Sequence, residues 1–180
     1  KHVIRMVMVM LVRELQIYNL STTSDDVKGI AFEQFLGRTF RGELGQFFTP
    51  RTIVDFMVSV LDPQEGEYVC DPCCGSGGFL IRAFEYVREH IENEVESRKD
   101  DVKRELLTDD YYKLPKVEQE KIDQKITNAF AKMNYELDIN NPLGRLRSLS
   151  FDCIYGTDAN PRMARTAKMN MIMHGDGHGG

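Results

Sequence analysis

Apolar positions recur at helical spacing over much of the chain. Val3, Val7, Met10 and Leu11 follow that spacing, and Leu15 continues it. The stretch is apolar on several sides, so it reads as a helix that packs into further protein. A polar break over residues 21–26 separates it from a second predicted helix at about residues 25–40, with Ser24 as N-cap. Ile30, Phe32, Phe35, Leu36 and Phe40 form its apolar side. Gly45 and Pro50 then mark a loop. Thr49 is the expected cap of a third helix, with Pro50 in its first turn and Ile53, Phe56, Met57 and Val60 continuing it. Asp62-Pro63 ends that helix.

The pattern changes at Tyr68-Val69-Cys70, which reads as a short buried strand. A glycine-rich turn follows. Phe79, Leu80, Ala83, Phe84, Val87 and Ile91 restore the helical period. Residues 93–148 are dense in charge and carry no strand pattern. Leu106, Leu107, Leu114, Val117, Ile122, Ile126, Phe130 and Met133 are spaced like helices with one apolar side, and the charges read as a solvated face. Residues 151–155 form a second predicted strand. Asn160-Pro161 is an N-cap followed by proline at the first helical position, and Ala164, Ala167, Met171 and Ile172 carry that helix to His174. The fold class is therefore α/β. A helical N-terminal segment (1–44) precedes a second domain (45–180) that carries a helical insertion (93–148).

Composition narrows the partners. At 180 residues, with 42% hydrophobic and 28% charged, the chain can build a core and is not broadly disordered. A net charge of -5 does not suit a free-standing DNA-binding module, so any grip on nucleic acid is local or comes from another chain. Three of the four cysteines (Cys70, Cys73, Cys74, with Cys153 apart) crowd one turn, a poor disulfide framework. The apolar run over residues 6–12 is far shorter than the ~20 residues of a membrane span. A reducing, cytoplasmic setting is expected. Lys1 in place of a Met, and a glycine-rich end, read as a piece of a longer protein.

The candidate chemistry lies in Asp71-Pro72-Cys73-Cys74-Gly75-Ser76-Gly77-Gly78-Phe79. Gly75, Gly77 and Gly78 allow close backbone approach and positive φ. The turn opens a helix, whose free N–H groups and dipole attract an anion. A dinucleotide G-x-G-x-x-G does not fit, because Leu80 stands where the third glycine belongs, and no ATP-type G-x-x-x-x-G-K-[ST] occurs. Asp71 at the strand end would repel a pyrophosphate. It suits the ammonium of an amino-acid moiety, such as that of S-adenosyl-L-methionine. Asp158, just past the second strand, can accept the hydroxyls of a ribose, the insertion accounting for its long interval from the turn. In Gln46-Phe47-Phe48-Thr49-Pro50-Arg51, two adjacent aromatics in a loop need something to cover. An aromatic face favours a sulfonium by about 0.5–2 kcal/mol. One ring is expected in the core and the other at the ligand.

Gly45-Gln46-Phe47-Phe48-Thr49-Pro50-Arg51 followed by the residues from Asp71 to Leu80 resembles the N6-adenine DNA methylase family, most closely the methylation subunit of type I restriction-modification systems. Tyr155-Gly156-Thr157-Asp158-Ala159-Asn160-Pro161, Ala167-Lys168-Met169-Asn170-Met171 and Met173-His174-Gly175-Asp176-Gly177 extend the resemblance. It implies a partial Rossmann-like methyltransferase core, S-adenosyl-L-methionine as cofactor, DNA as substrate, and specificity and restriction subunits as partners. The first segment is then the loop over the cofactor and the second the cofactor turn. The family's catalytic [DN]-P-P-[FY] motif is absent from these residues, so no catalytic residue is assigned and the expected role is cofactor binding alone. The alternatives are a methyltransferase for an RNA or protein amine or amide, and a non-catalytic nucleotide-sensing domain of the same fold. Cys70, Cys73, Cys74 and Cys153 read as packing residues rather than zinc ligands, and His174 and His178 with Asp176 as loop residues. Arg38, Arg41 and Arg51 are as consistent with surface charge as with phosphate contact.

Overall fold

The computed structural model describes residues 49–175, together with residue 13, which is helical and exposed. The helices expected over residues 1–44, including the Ser24 cap, otherwise lie outside the described residues.

Helix α1 is Arg51–Leu61. Pro50, rather than Thr49, is its N-cap: ψ of 138° keeps proline outside the helix while its carbonyl accepts the Ile53 and Val54 N–H groups at 2.9 and 3.2 Å. The buried face is Val54 and Val58, not the expected one. Ile53, Phe56, Met57 and Val60 are exposed, Phe56 at 65%. The helix has apolar residues on two sides, and periodicity alone does not say which meets the core. It ends at Asp62, in the left-handed region at φ 47°. That conformation is costly for a non-glycine residue. The Asp62 N–H bonds to the Val58 carbonyl, and its Oδ1 accepts the Tyr86 hydroxyl at 2.8 Å.

Strand β1 (Val69–Asp71) leads through the glycine-rich turn into helix α2 (Gly78–Leu106), 29 residues long. Leu80, Ile81, Ala83, Phe84, Val87, Ile91 and Val95 are its buried stripe. α2 does not stop where the charged segment begins at residue 93. It runs on as a polar helix, turns through a 3₁₀ segment (Tyr111–Lys113) and returns as α3 (Lys116–Leu137). The pairs fix the direction: Arg98 meets Glu136, and Lys103 lies 5.5 Å from the Phe130 ring, so α3 is antiparallel to α2. No α3 side chain is fully buried, and Val117 is exposed. This is a two-helix arm with a thin apolar seam.

The chain re-enters through α4 (Arg145–Ser148) and a π-helical turn (Leu149–Cys153) to strand β2 (Ile154–Gly156), then α5 (Pro161–Met173). The strand predicted at residues 151–155 is thus shorter and later. Leu149, Ser150 and Cys153 are all buried, and a helical turn brings i, i+1 and i+4 to one side whereas an alternating strand does not. β1 and β2 pair in parallel, with Val69 opposite Ile154, Cys70 opposite Tyr155 and Asp71 opposite Gly156. Val69 and Ile154 pack on the core formed by Leu80, Ile81, Phe84, Val87 and Ile91 with Leu149, Cys153, Ala167 and Met171. By strand alternation, Cys70 and Tyr155 take the other face and are exposed. The strand Tyr68-Val69-Cys70, expected to be buried, is therefore buried on one side only, and Tyr68 is 76% exposed.

Charge pairs tie the arm to the core. Arg145 binds Glu65 in a bidentate pair and also reaches Glu94 at 2.6 Å. Arg98 chelates Glu136 at 2.7 and 3.1 Å. The Arg145 hydrogen bond holds Glu94 below the ordinary carboxylate range, and that of Arg98 does the same for Glu136. A depressed folded-state pKa gives stability that is present above the unfolded value, about 4.3, and lost as pH falls through the folded value. Acid melting should therefore loosen the arm. Arg145→Met is expected to flatten the pH dependence of the melting temperature below about pH 5, by under ~1 kcal/mol because these groups are screened by solvent. An unchanged acid profile in that variant would remove the Arg145 pairs from the account.

Candidate cofactor site at the glycine-rich turn

The turn is stitched to the exit of β2 by backbone and side-chain hydrogen bonds. The Thr157 N–H donates to the Asp71 carbonyl and the Cys74 N–H to the Thr157 carbonyl, both at 2.9 Å. The Thr157 hydroxyl donates to the Pro72 carbonyl at 3.0 Å. Asp71 Oδ1 accepts the Cys73 N–H at 3.0 Å, closing a local turn on its own carboxylate. Asp158 Oδ2 accepts the Gly75 N–H at 2.9 Å across 83 residues of sequence, and its Oδ1 accepts the Asn160 N–H at 2.7 Å. Asp71 and Asp158 thus sit at the carboxyl ends of adjacent parallel strands, the ordinary place for a ligand crevice in such sheets.

The glycines divide the work. Gly75 (φ 54°) and Gly77 (φ 88°) both occupy the left-handed region. A Cβ on Gly75 would meet nothing within 4 Å, so the backbone there stands open. A Cβ on Gly77 would lie 3.3 Å from the Ala167 Cβ of α5. One glycine exposes backbone, and the other lets α2 and α5 approach. Gly156 lets Leu80 Cδ1 fill the place of its missing Cβ.

Gly77 is the N-cap of α2, and Gly78 and Phe79 begin it. The Ile81 N–H is paired with the Gly77 carbonyl at 2.8 Å, whereas the N–H groups of the first helical residues have no partner within the helix. These donors and the helix dipole favour an anionic group. Beside them the field is of opposite sign. Burial raises the pKa of the Cys74 thiol, and Asp71 and then Asp158 raise it further. A ligand with one anionic and one cationic end fits both halves of this edge. Carboxylate oxygens carry further lone pairs beyond the bonds above, so both aspartates can still accept from a ligand.

The residues from Asp71 to Phe79 and Asp158 are therefore together. Ser76 and Phe79 are half-buried, and Pro72 is exposed. Thr49, Pro50 and Arg51 are exposed at the head of α1. Gln46, Phe47 and Phe48 lie outside the described residues, as do Arg38, Arg41, Asp176 and His178. Among the described residues no group of three or more His, Cys, Asp or Glu side chains could hold a metal ion. None of the described helices is long and apolar enough to cross a membrane.

Two residues in the packing beneath the turn carry contacts that were not expected from sequence. Asn170 Nδ2 donates to the Ser76 carbonyl at 2.8 Å. His174, expected in a loop, is buried with Nδ1 2.6 Å from Glu85. Their signal was present: Met163, Ala167, Asn170 and His174 share one helical face, so two polar residues stand at core positions.

The residues around the turn thus form a parallel strand–turn–helix–strand unit with acidic strand ends and a glycine cap. Residues 23–143 match the family model described as N-6 DNA Methylase, and the chain belongs to that family. It is 45% identical over 58 residues, 32% of this chain, to the type I restriction enzyme EcoEI methylase subunit of Escherichia coli. It is also 45% identical over 71 residues, 37% of this chain, to the type I restriction enzyme MjaIX methylase subunit of Methanocaldococcus jannaschii. The matched stretch spans 12% of either relative's length. A crystal structure of a modification subunit assigned to a type I restriction enzyme of Vibrio vulnificus YJ016 is 26% identical, covering 82% of this chain and 21% of that one, with a TM-score of 0.46.

Proposed function

We propose that this chain is the cofactor-binding part of a DNA adenine-N6 methyltransferase, the modification subunit of a type I restriction-modification system, with a Rossmann-like core. The observation that carries the reading is the placement of Asp71 and Asp158 at neighbouring strand ends around an open Gly75 and the head of α2. S-adenosyl-L-methionine matches that charge pattern. Its ammonium suits Asp71, its carboxylate the N–H groups at Gly78 and Phe79, and its ribose hydroxyls Asp158. When bound, it supplies an electrophilic methyl group. The loop from Gln46 to Arg51 is proposed to cover it.

The chain's own residues hold and orient the cofactor. The adenine amine would be held by a [DN]-P-P-[FY] segment, which does not occur in these 180 residues. DNA is the proposed substrate, with specificity and restriction subunits as partners and the cytoplasm as the setting. The family match and the methylase-subunit relatives support this reading. The test is methyl transfer by the full-length protein, supplied with a specificity subunit, from methyl-labelled S-adenosylmethionine to DNA. Label is expected in N6-methyladenine. Label in cytosine, RNA or protein instead, or none with a folded complex, would refute the assignment.

A further inference from the structure

We propose that Asn170 is a positioning residue for cofactor binding: its buried amide fixes the Ser76 carbonyl and so sets the peptide that opens the head of α2. The inference rests on the reading of the turn as the S-adenosylmethionine site. Asn170 is 0% exposed, and its Oδ1 is buried without a hydrogen-bond partner. A buried amide half unsatisfied is a net cost relative to an apolar residue of the same size. The bond it does make, to Ser76 across 94 residues of sequence, goes to the candidate cofactor turn.

That bond completes a clamp. The Ser76–Gly77 peptide is held at both ends, its carbonyl by Asn170 and its N–H by the Cys74 carbonyl at 2.7 Å. Ala167, one turn earlier on α5, presses on Gly77. The clamp fixes where the left-handed residues Gly75 and Gly77 point their neighbours, which gives the donors at Gly78 and Phe79 one direction. One turn further along α5, His174 pairs with Glu85, and Arg88 Nη1 donates to the His174 carbonyl at 2.9 Å. These contacts join α5 to α2 without touching the turn. They supply a control for plain loosening of the helix pair.

The experiment is calorimetric titration of the full-length protein with S-adenosylmethionine at several pH values. Asn170→Asp is close to isosteric but, when ionised, offers only acceptors to the Ser76 carbonyl. Its Kd is expected to rise about tenfold over the unaltered protein at about pH 9, where the carboxyl is ionised, the scale of one lost hydrogen bond at a buried group. Burial raises a carboxyl pKa, so lowering the pH from about 9 to about 5.5 should protonate the side chain, restore a donor and narrow the ratio. Charged or titratable groups on the elements packed around Asn170 include Glu85 and Arg88 of α2, His174 at the end of α5, and Asp71, Cys74 and Asp158 at the turn, and the ratio to the unaltered protein at each pH removes their shared effect. Asn170→Ala is expected to lose affinity with no recovery in acid. His174→Gln is expected to lower the melting temperature and leave Kd within about threefold.

If Asn170→Ala does not fold, Asn170→Ser replaces it, with a Kd between those of the unaltered protein and Asn170→Asp. Wild-type-like affinity in Asn170→Asp at about pH 9 would overturn the proposal, and so would a pH-insensitive ratio or an equal loss in His174→Gln. No heat from the folded, unaltered protein would instead overturn the reading of the turn itself.

Discussion

Gly77→Asp is expected to abolish detectable S-adenosylmethionine binding, with Kd weakened by at least about a hundredfold, or ~2.7 kcal/mol. Three effects act in the same direction. Gly77 has φ 88°, where an L side chain is strained by roughly 1–2 kcal/mol. Its new Cβ would lie 3.3 Å from the Ala167 Cβ and 3.4 Å from the Ala167 Cα, so the turn must lift away from α5. The carboxylate would then occupy the cap of α2, taking the donors proposed for the carboxylate of the cofactor. Gly77→Ala separates these effects, because it keeps the strain and contact without the charge. Its expected Kd falls between the two. Titration calorimetry on folded full-length variants reads all three states, and retention of affinity within about threefold in Gly77→Asp would show that the turn is not the site.

Phe84→Ala is expected to produce the largest loss of stability, about 3–5 kcal/mol. Phe84 is 1% exposed and stands in the centre of the α2 stripe, with the Arg88 guanidinium 5.5 Å from its ring centroid. It lies within the cluster that also holds Leu80, Leu149, Ala167 and Met171, so one cavity loosens α2, α5 and the segment before β2 together. A domain has only about 5–15 kcal/mol in total, so this single change approaches the limit of folding. Urea unfolding followed by circular dichroism should show a lower midpoint. A loss under about 1 kcal/mol would mean that the cluster around Phe84 is not the main core.

The sequence made local chemistry legible and left long-range choices open. Asn160-Pro161 announced a helix start because both signals act within the turn itself, and the Asn160 side chain does accept the Arg162 N–H at 3.0 Å. Leu80, Phe84, Val87 and Ile91 were readable because α2 has one apolar stripe. α1 has two, so Val54 and Val58 were not distinguishable from Phe56 and Val60 until α2 lay against them. The half-open sheet that exposes Cys70 and Tyr155 depends on which strand face receives α2. In the site, the glycines and Asp71 were legible through conformation and charge. The bond from Asp158 to Gly75 and the grip of Asn170 on Ser76 each span more than eighty residues of sequence, and no local pattern encodes them. His174 stands beside the glycines that follow α5, yet its spacing from Asn170 continues the buried face of that helix.

The most direct measurement of the central claim is calorimetric titration of the full-length protein with S-adenosylmethionine, beside ATP and NAD. The expected result is saturable binding of S-adenosylmethionine alone, because Asp71 and Asp158 favour an ammonium and a ribose and oppose a polyphosphate. Binding of ATP or NAD with no response to S-adenosylmethionine, on a folded sample, would contradict the account.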